Sequence, residues 1–264
     1  MLEPGDYQAI QIEKHDDGVV LATLNRPDRL NAMGGSMMVE YSRLPQDFDS
    51  DPDSKVLLLT GAGRAFCAGG DFSPEPGFKN PEYLNGMRLS RMIVDNMLDC
   101  EKPVISAVNG YALGLGATVA LLSDVVIAGR SAVFGDTHVR MGMSAGDGGQ
   151  LMWTMLIGAA RAKYYMMTGE RFGAEEAERM GLVGFVVEDE ELLDRALELA
   201  RRLAAGPQYA IMASKVPINK WLKFASNLIM PLSLSMEEVS ITHPDHAEAV
   251  QAFQQKRDPV FGKS

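Results

Sequence analysis

The stretch FGDTHVRMGMSAGDGG, residues 134 to 149, carries one of only four histidines in the chain, with Asp136 two positions before it and Asp147 nine positions after it. Histidine titrates near neutral pH, and an adjacent carboxylate fixes its tautomer, so these residue types suit a site that moves protons. A plainer reading stands beside that one. A lone histidine is more often structural, Asp136 suits the turn after a strand, and Asp147 suits the cap of the helix that follows.

Two other segments, GAGRAFCAGGDF (61–72) and NGYALGLGATVA (109–120), place small residues where a strand meets a helix. A helix start offers unpaired N–H donors, and glycine lets a ligand come close to the backbone. Two such turns aimed at one oxygen would form an oxyanion hole; equally, they are the ordinary glycine turns of an α/β fold. The GxxxxGK[ST] signature is absent, and Gly110, Gly114 and Gly116 do not make GxGxxG, which argues against phosphate-loop and dinucleotide readings.

These groups need elements to position them. YQAIQIEKH and GVVLATLNR read as strands around the Asp16–Asp17–Gly18 turn, and a helix is expected over 35–49, interrupted at Pro45. KVLLLTGAG reads as a buried strand before a helix over 82–100; PVISAVNGYALGLGATVALLSD repeats strand, glycine turn and helix; DVVIAG is the next strand. That repetition predicts an α/β fold with parallel pairing. Beyond about residue 150 helices dominate, with AEEAERMGL, EELLDRALELARRLAAG and a helical 207–255 in which Pro207, Pro217, Pro231 and Pro244 mark starts or breaks. We expect one domain, a core over 1–200 and a helical region over 201–264 that packs on the core or on a neighbouring subunit.

The chain has 264 residues and a net charge of −10 from 35 acids and 25 bases, which disfavours nucleic acid and anionic membrane surfaces as partners. An anionic ligand would therefore need local cations or backbone N–H groups. Only Cys67 and Cys100 are present, MLEPGDYQ lacks a signal-peptide pattern and no apolar run reaches about 18 residues, so a cytoplasmic location is expected. The 17 methionines suit core filling first and an adaptable pocket lining second. Scattered histidines and distant cysteines support no metal site.

Taken together, NRPDRLNAM (25–33), LLLTGAGRAFCAGGDF (57–72), KPVISAVNGYALGLGATVALLSDVVIA (102–128) and AFQQKRDPVFG (252–262) resemble the crotonase, or enoyl-CoA hydratase/isomerase, superfamily across essentially the whole chain. The resemblance implies a crotonase-type spiral of ββα units with a C-terminal helical extension, assembled as a homotrimer or a dimer of trimers. It implies an acyl-CoA thioester as substrate, with no separate cofactor, and a carbonyl held by the N–H groups of Gly70 and Leu115. The CoA-binding stretch maps onto Arg26, Arg29 and Ala32, with Ala68, Asp71 and Phe72 at the thioester end; Asp71 also reads as a helix cap.

The pattern departs where the chemistry sits. Hydratases of this family hold a water with two glutamates, whose counterparts here are Thr118 and His138. Dienoyl-CoA isomerases and related dehalogenases keep an aspartate one position before Asp147. The segment is also similar to that of oxocamphor hydrolase, which pairs a histidine and an aspartate at this spacing to cleave a cyclic β-diketone without CoA. Our expectation is an acyl-CoA enzyme in which His138, oriented by Asp147, is the acid/base and Thr118 contacts substrate. The alternatives are a β-diketone hydrolase and a non-catalytic CoA-binding member. Glu237 or Glu238 in the C-terminal helix could approach the pocket, with a solvated helix face as the favoured reading.

Overall fold

The structure, a computed structural model, describes residues 2–71 and 83–262, and Phe72 lies outside the described residues. The apolar runs of the first half become strands buried on both faces, which is the environment of a parallel sheet covered by helices. Ile10–Lys14 (β1), Val19–Leu24 (β2), Val56–Gly61 (β3), Val104–Val108 (β5), Val125–Gly129 (β7) and Phe185–Val187 (β10) form a six-stranded sheet in that order, parallel except for the β1–β2 hairpin. A second sheet stacks the short strands Ala65–Cys67 (β4), Tyr111–Leu113 (β6) and Val133–Gly135 (β8) in parallel, with Phe172–Gly173 (β9) antiparallel at the edge.

Each turn of the chain therefore gives one strand to each sheet and then a helix. β3 and β4 lead to Tyr83–Asp99 (α2), β5 and β6 to Leu115–Leu121 (α3), and β7 and β8 to Gly149–Thr168 (α4). This is the ββα spiral, preceded by Ser36–Asp49 (α1) and followed by Ala174–Met180 (α5), Leu192–Ala204 (α6), Gln208–Thr242 (α7) and Pro244–Gln255 (α8).

Proline does less than its local chemistry suggests. Pro45 lies inside α1, and α7 runs 35 residues through Pro217 and Pro231. An interior proline costs roughly 3 kcal/mol. Met37, Tyr41, Leu44 and Phe48 on α1 are fully buried, and each such side chain contributes about 1.5–3 kcal/mol, so packing outweighs the lost bond. Because α7 is not broken, it lies across α2 and α4 and brings Glu237 down onto the interior.

Glycine fixes how closely the two turns approach each other. A Cβ at Gly116 would lie 2.1 Å from the Cys67 carbonyl oxygen, and one at Gly69 (φ +104°) would lie 2.9 Å from the Leu113 carbonyl oxygen. The segment after β4 therefore rests directly on the start of α3. In an ordinary helix Gly→Ala stabilises by about 1 kcal/mol. Here Gly116→Ala should instead lose about 1–3 kcal/mol through overpacking, read as a lower urea midpoint at unchanged m; a raised midpoint would contradict the stacking.

Candidate active site

Asp136 is the first residue beyond β8, and His138 opens a short 3-10 turn, His138–Met141, that closes on Gly142 in the left-handed region (φ +63°). Gly114 makes room for the ring, since a Cβ there would sit 3.3 Å from His138 Cε1. His138 Nδ1 lies 2.8 Å from Asp136 Oδ1, which also accepts the His138 backbone N–H at 3.3 Å. Nε2 lies 3.1 Å from Asp147 Oδ2. Asp147 Oδ1 accepts the Thr118 hydroxyl at 3.2 Å, completing a buried row Asp136–His138–Asp147–Thr118.

The charges of this row follow from its geometry. Burial alone would push the imidazole pKa down, but the carboxylates of Asp147 and Asp136 outweigh it and hold His138 well above its ordinary value. Burial would likewise raise Asp147, yet the imidazolium, the Thr118 hydroxyl and the Gly149 N–H keep it below the usual carboxylate range. An imidazolium that spends both N–H groups on carboxylates has no lone pair with which to accept a proton. Asp136 as well as Asp147 therefore orients the ring, and the Asp147 carboxylate lines the cleft beside it.

Glu237, from α7, is a residue for which the sequence favoured a solvated helix face over an approach to the pocket. It is 4% exposed, and its Oε2 has no hydrogen-bond partner among the described residues. Burial, then the charges of Asp147 and Asp136, raise its pKa to about 8 against the opposing pull of His138, so it is a neutral acid at pH 7. His138, Asp147 and Glu237 each present an atom within 4.8 Å of the others. That spacing would suit a cation, but the donor set does not, because the ring nitrogens are both committed to carboxylates.

Asp147, Glu237 and His138 line a cleft of about 1090 Å³ that also exposes Gly70 and Leu115. Met33 bonds the Gly69 carbonyl at 2.7 Å, and the Asp71 N–H bonds the Met33 carbonyl at 3.0 Å. Strand alternation then turns the Gly70 N–H away from Met33. Leu115 is the first residue of α3, where the N–H has no helical acceptor. Neither N–H has a backbone partner among the described residues. Met33, Met38, Met141 and Met143 give the cleft a deformable apolar wall.

The remaining sequence-derived residues divide. Ala68 and Asp71 line the cleft, as does Arg26, but the Arg26 guanidinium is engaged within the protein, with Asp71 Oδ2 at 2.8 Å and the Ala32 carbonyl at 2.7 Å. Arg29 is exposed, and neither it nor Ala32 is among the residues lining the cleft. Thr118 does not line it either; it is fully buried and holds Asp147, which corrects its expected contact with substrate. Asp136, for which the sequence favoured a role in its turn, also anchors the histidine. An aspartate two residues before a histidine was a visible signal for that; Glu237, 90 residues away from Asp147, had none beyond being an acid in a helix with apolar neighbours.

Comparison with known proteins gives a consistent result. The enoyl-CoA hydratase/isomerase family model matches residues 14–264. The chain is 36% identical over 252 residues to 1,2-epoxyphenylacetyl-CoA isomerase of Escherichia coli, covering 93% of this chain and 95% of that one. It is 32% identical over 240 residues to the short-chain-enoyl-CoA hydratase of Clostridium acetobutylicum, covering 90% and 92%. Among solved structures, an enoyl-CoA hydratase/isomerase from Mycobacterium paratuberculosis superposes with a TM-score of 0.87 at 36% identity, covering 92% of this chain and 97% of that one.

Within the site, Glu237 and His138 hold their protons above their ordinary values. Folding is therefore fully favoured by Glu237 only below its unfolded value of 4.5 and is penalised as pH rises toward about 8; His138 adds a loss that begins at its unfolded value of 6.5. The melting temperature should fall between pH 6.5 and 9, and Glu237→Gln should flatten that fall at its lower end. A melting temperature that rises over this range would contradict the assigned charges.

Proposed function

The chain belongs to the enoyl-CoA hydratase/isomerase family, and on that premise we propose that it forms the enolate of an acyl-CoA thioester with Asp147 as the base. The observation that carries this reading is the Asp147 carboxylate, 3.1 Å from His138 Nε2, in a cleft also lined by Gly70 and Leu115, whose N–H groups have no backbone partner among the described residues. With the thioester oxygen between the Gly70 and Leu115 N–H groups, the electron pair left when Asp147 removes a proton moves onto that oxygen. Preorganised donors of this kind are each worth about 10²–10³ in rate. His138 and Asp136 support the reaction by fixing the charge and direction of Asp147, and Thr118 by holding its second oxygen. By the family resemblance, Thr118 and His138 stand where hydratases use two glutamates.

One observation favours a second reading, a β-diketone hydrolase. The Arg26 guanidinium is turned inward onto Asp71 and backbone carbonyls, which leaves less cationic surface for CoA phosphates. In that case the same donors would stabilise the enolate that leaves a cleaved carbon–carbon bond. Acyl-CoA binding with micromolar affinity supports the first reading; no binding to any acyl-CoA, with cleavage of a cyclic diketone, supports the second. An exposed apolar stripe along α7, including Trp221, Phe224, Leu228, Leu232 and Val239, is consistent with assembly into a trimer.

Asp147→Asn should lower kcat by about 10²–10⁴ while the Kd for a non-reactive acyl-CoA changes less than about threefold. Leu115→Ala should leave kcat within about threefold, because the donor is a backbone N–H. Near wild-type turnover by Asp147→Asn would reject the assignment of the base.

A further inference from the structure

We propose that Glu237 is a second catalytic residue, the carboxylic acid that delivers a proton to the enolate carbon chain after Asp147 has acted. This rests on the acyl-CoA reading above and gives it a reaction class: one proton taken and one delivered across a short gap. Addition of water across a double bond beside the thioester, or movement of that double bond, has this requirement.

The geometry makes the pair. Glu237 and Asp147 both line the cleft, with carboxyl oxygens within 4.8 Å, a gap that one water molecule or one substrate carbon bridges. Glu237 Oε2 has no partner among the described residues, although it is buried. A polar atom left so costs about 1–3 kcal/mol, and packing alone is better served by an apolar side chain. The backbone accommodates the approach: a Cβ at Gly146 would lie 2.7 Å from Oε2 and 2.4 Å from the Ser233 carbonyl oxygen one turn earlier on α7.

Charge assigns the roles within the pair. The groups facing Glu237 are the Asp147 and Asp136 carboxylates and the His138 imidazolium, together a net −1. Ionising Glu237 would bury a second uncompensated negative charge, so it keeps its proton while Asp147 does not. One carboxyl group is then ready to accept a proton and the other to donate one.

The steps balance. In a double-bond shift, Asp147 takes a proton from the carbon alpha to the thioester, the electron pair delocalises onto the carbonyl oxygen, and Glu237 protonates the gamma carbon. In water addition, the water oxygen bonds the beta carbon, Asp147 takes the water proton, and Glu237 protonates the alpha carbon. Either way one proton has passed from Glu237 to Asp147, and it returns between them or through solvent before the next turnover.

The test compares two readouts on the full chain: turnover over a panel of 2-enoyl- and 3-enoyl-CoA thioesters, and deuterium exchange at the alpha carbon of phenylacetyl-CoA in D2O, which needs only the base. Glu237→Gln should lower turnover at least 100-fold, in the range of a lost general acid, while exchange falls less than about fivefold. Because the donor must be protonated, wild-type turnover should fall as pH rises through about 8, and that limb should be missing from the residual activity of Glu237→Gln. Turnover by Glu237→Gln within threefold of wild type overturns the inference, as does an equal loss of turnover and exchange, which would mark a structural role. If the variant does not fold, wild-type turnover that stays flat to pH 9.5 overturns it. Absence of both turnover and exchange in the wild type on every thioester overturns the acyl-CoA reading itself, and the inference with it.

Discussion

The clamp of the His138 imidazolium between Asp136 and Asp147, at 2.8 and 3.1 Å, is the contact on which the rest of the site depends. Two buried carboxylates around one cation leave a net negative charge in a medium that tolerates little of it, and the geometry responds in two ways. The cation keeps its proton, which keeps Asp147 ionised, and the nearest remaining acid, Glu237, stays neutral. Remove the imidazolium and the three carboxyl groups would compete for protons, with no fixed assignment of acceptor and donor.

The fold supplies that contact through close backbone approach rather than through side-chain bulk. Gly114, Gly116 and Gly69 let the β4 and β6 turns stack and leave space for the histidine ring, and Gly146 does the same for Glu237. The helix α7 contributes through its continuity: Pro217 and Pro231 do not divide it, so the burial of Asn219, Met230 and Ser233 along its length carries Glu237 to the same depth as Asp147. The site thus draws on the second sheet, the start of α4 and the C-terminal helices together.

Much of this was legible in the sequence, and the losses have physical causes. Strand–turn–helix repetition predicted the α/β fold with parallel pairing because buried parallel strands read as continuous apolar runs, and the ββα spiral came from the family resemblance. The glycine turns suggested only that two helix-start N–H groups could meet at one oxygen, and the choice of Gly70 and Leu115 came from the family resemblance. Proline misled at positions 45, 217 and 231 because propensity is local and packing is not. His138 and Asp147 were found by type and spacing; the bond of Asp136 to Nδ1, which bears on which of the two takes a proton, was not. Glu237 was named as able to reach the pocket but read first as solvated, because its partner lies 90 residues away and helix periodicity does not report what a face packs against.

The charge state of His138 is the most direct point of attack. Nitrogen NMR of the histidine side chains, with His138→Asn for assignment, reads the protonation of each ring nitrogen over pH. The account requires both nitrogens of His138 to remain protonated at pH 8, well past the ordinary histidine value of 6.5. A neutral His138 ring at that pH, with one nitrogen unprotonated, would contradict the clamp and return the histidine to the role of base.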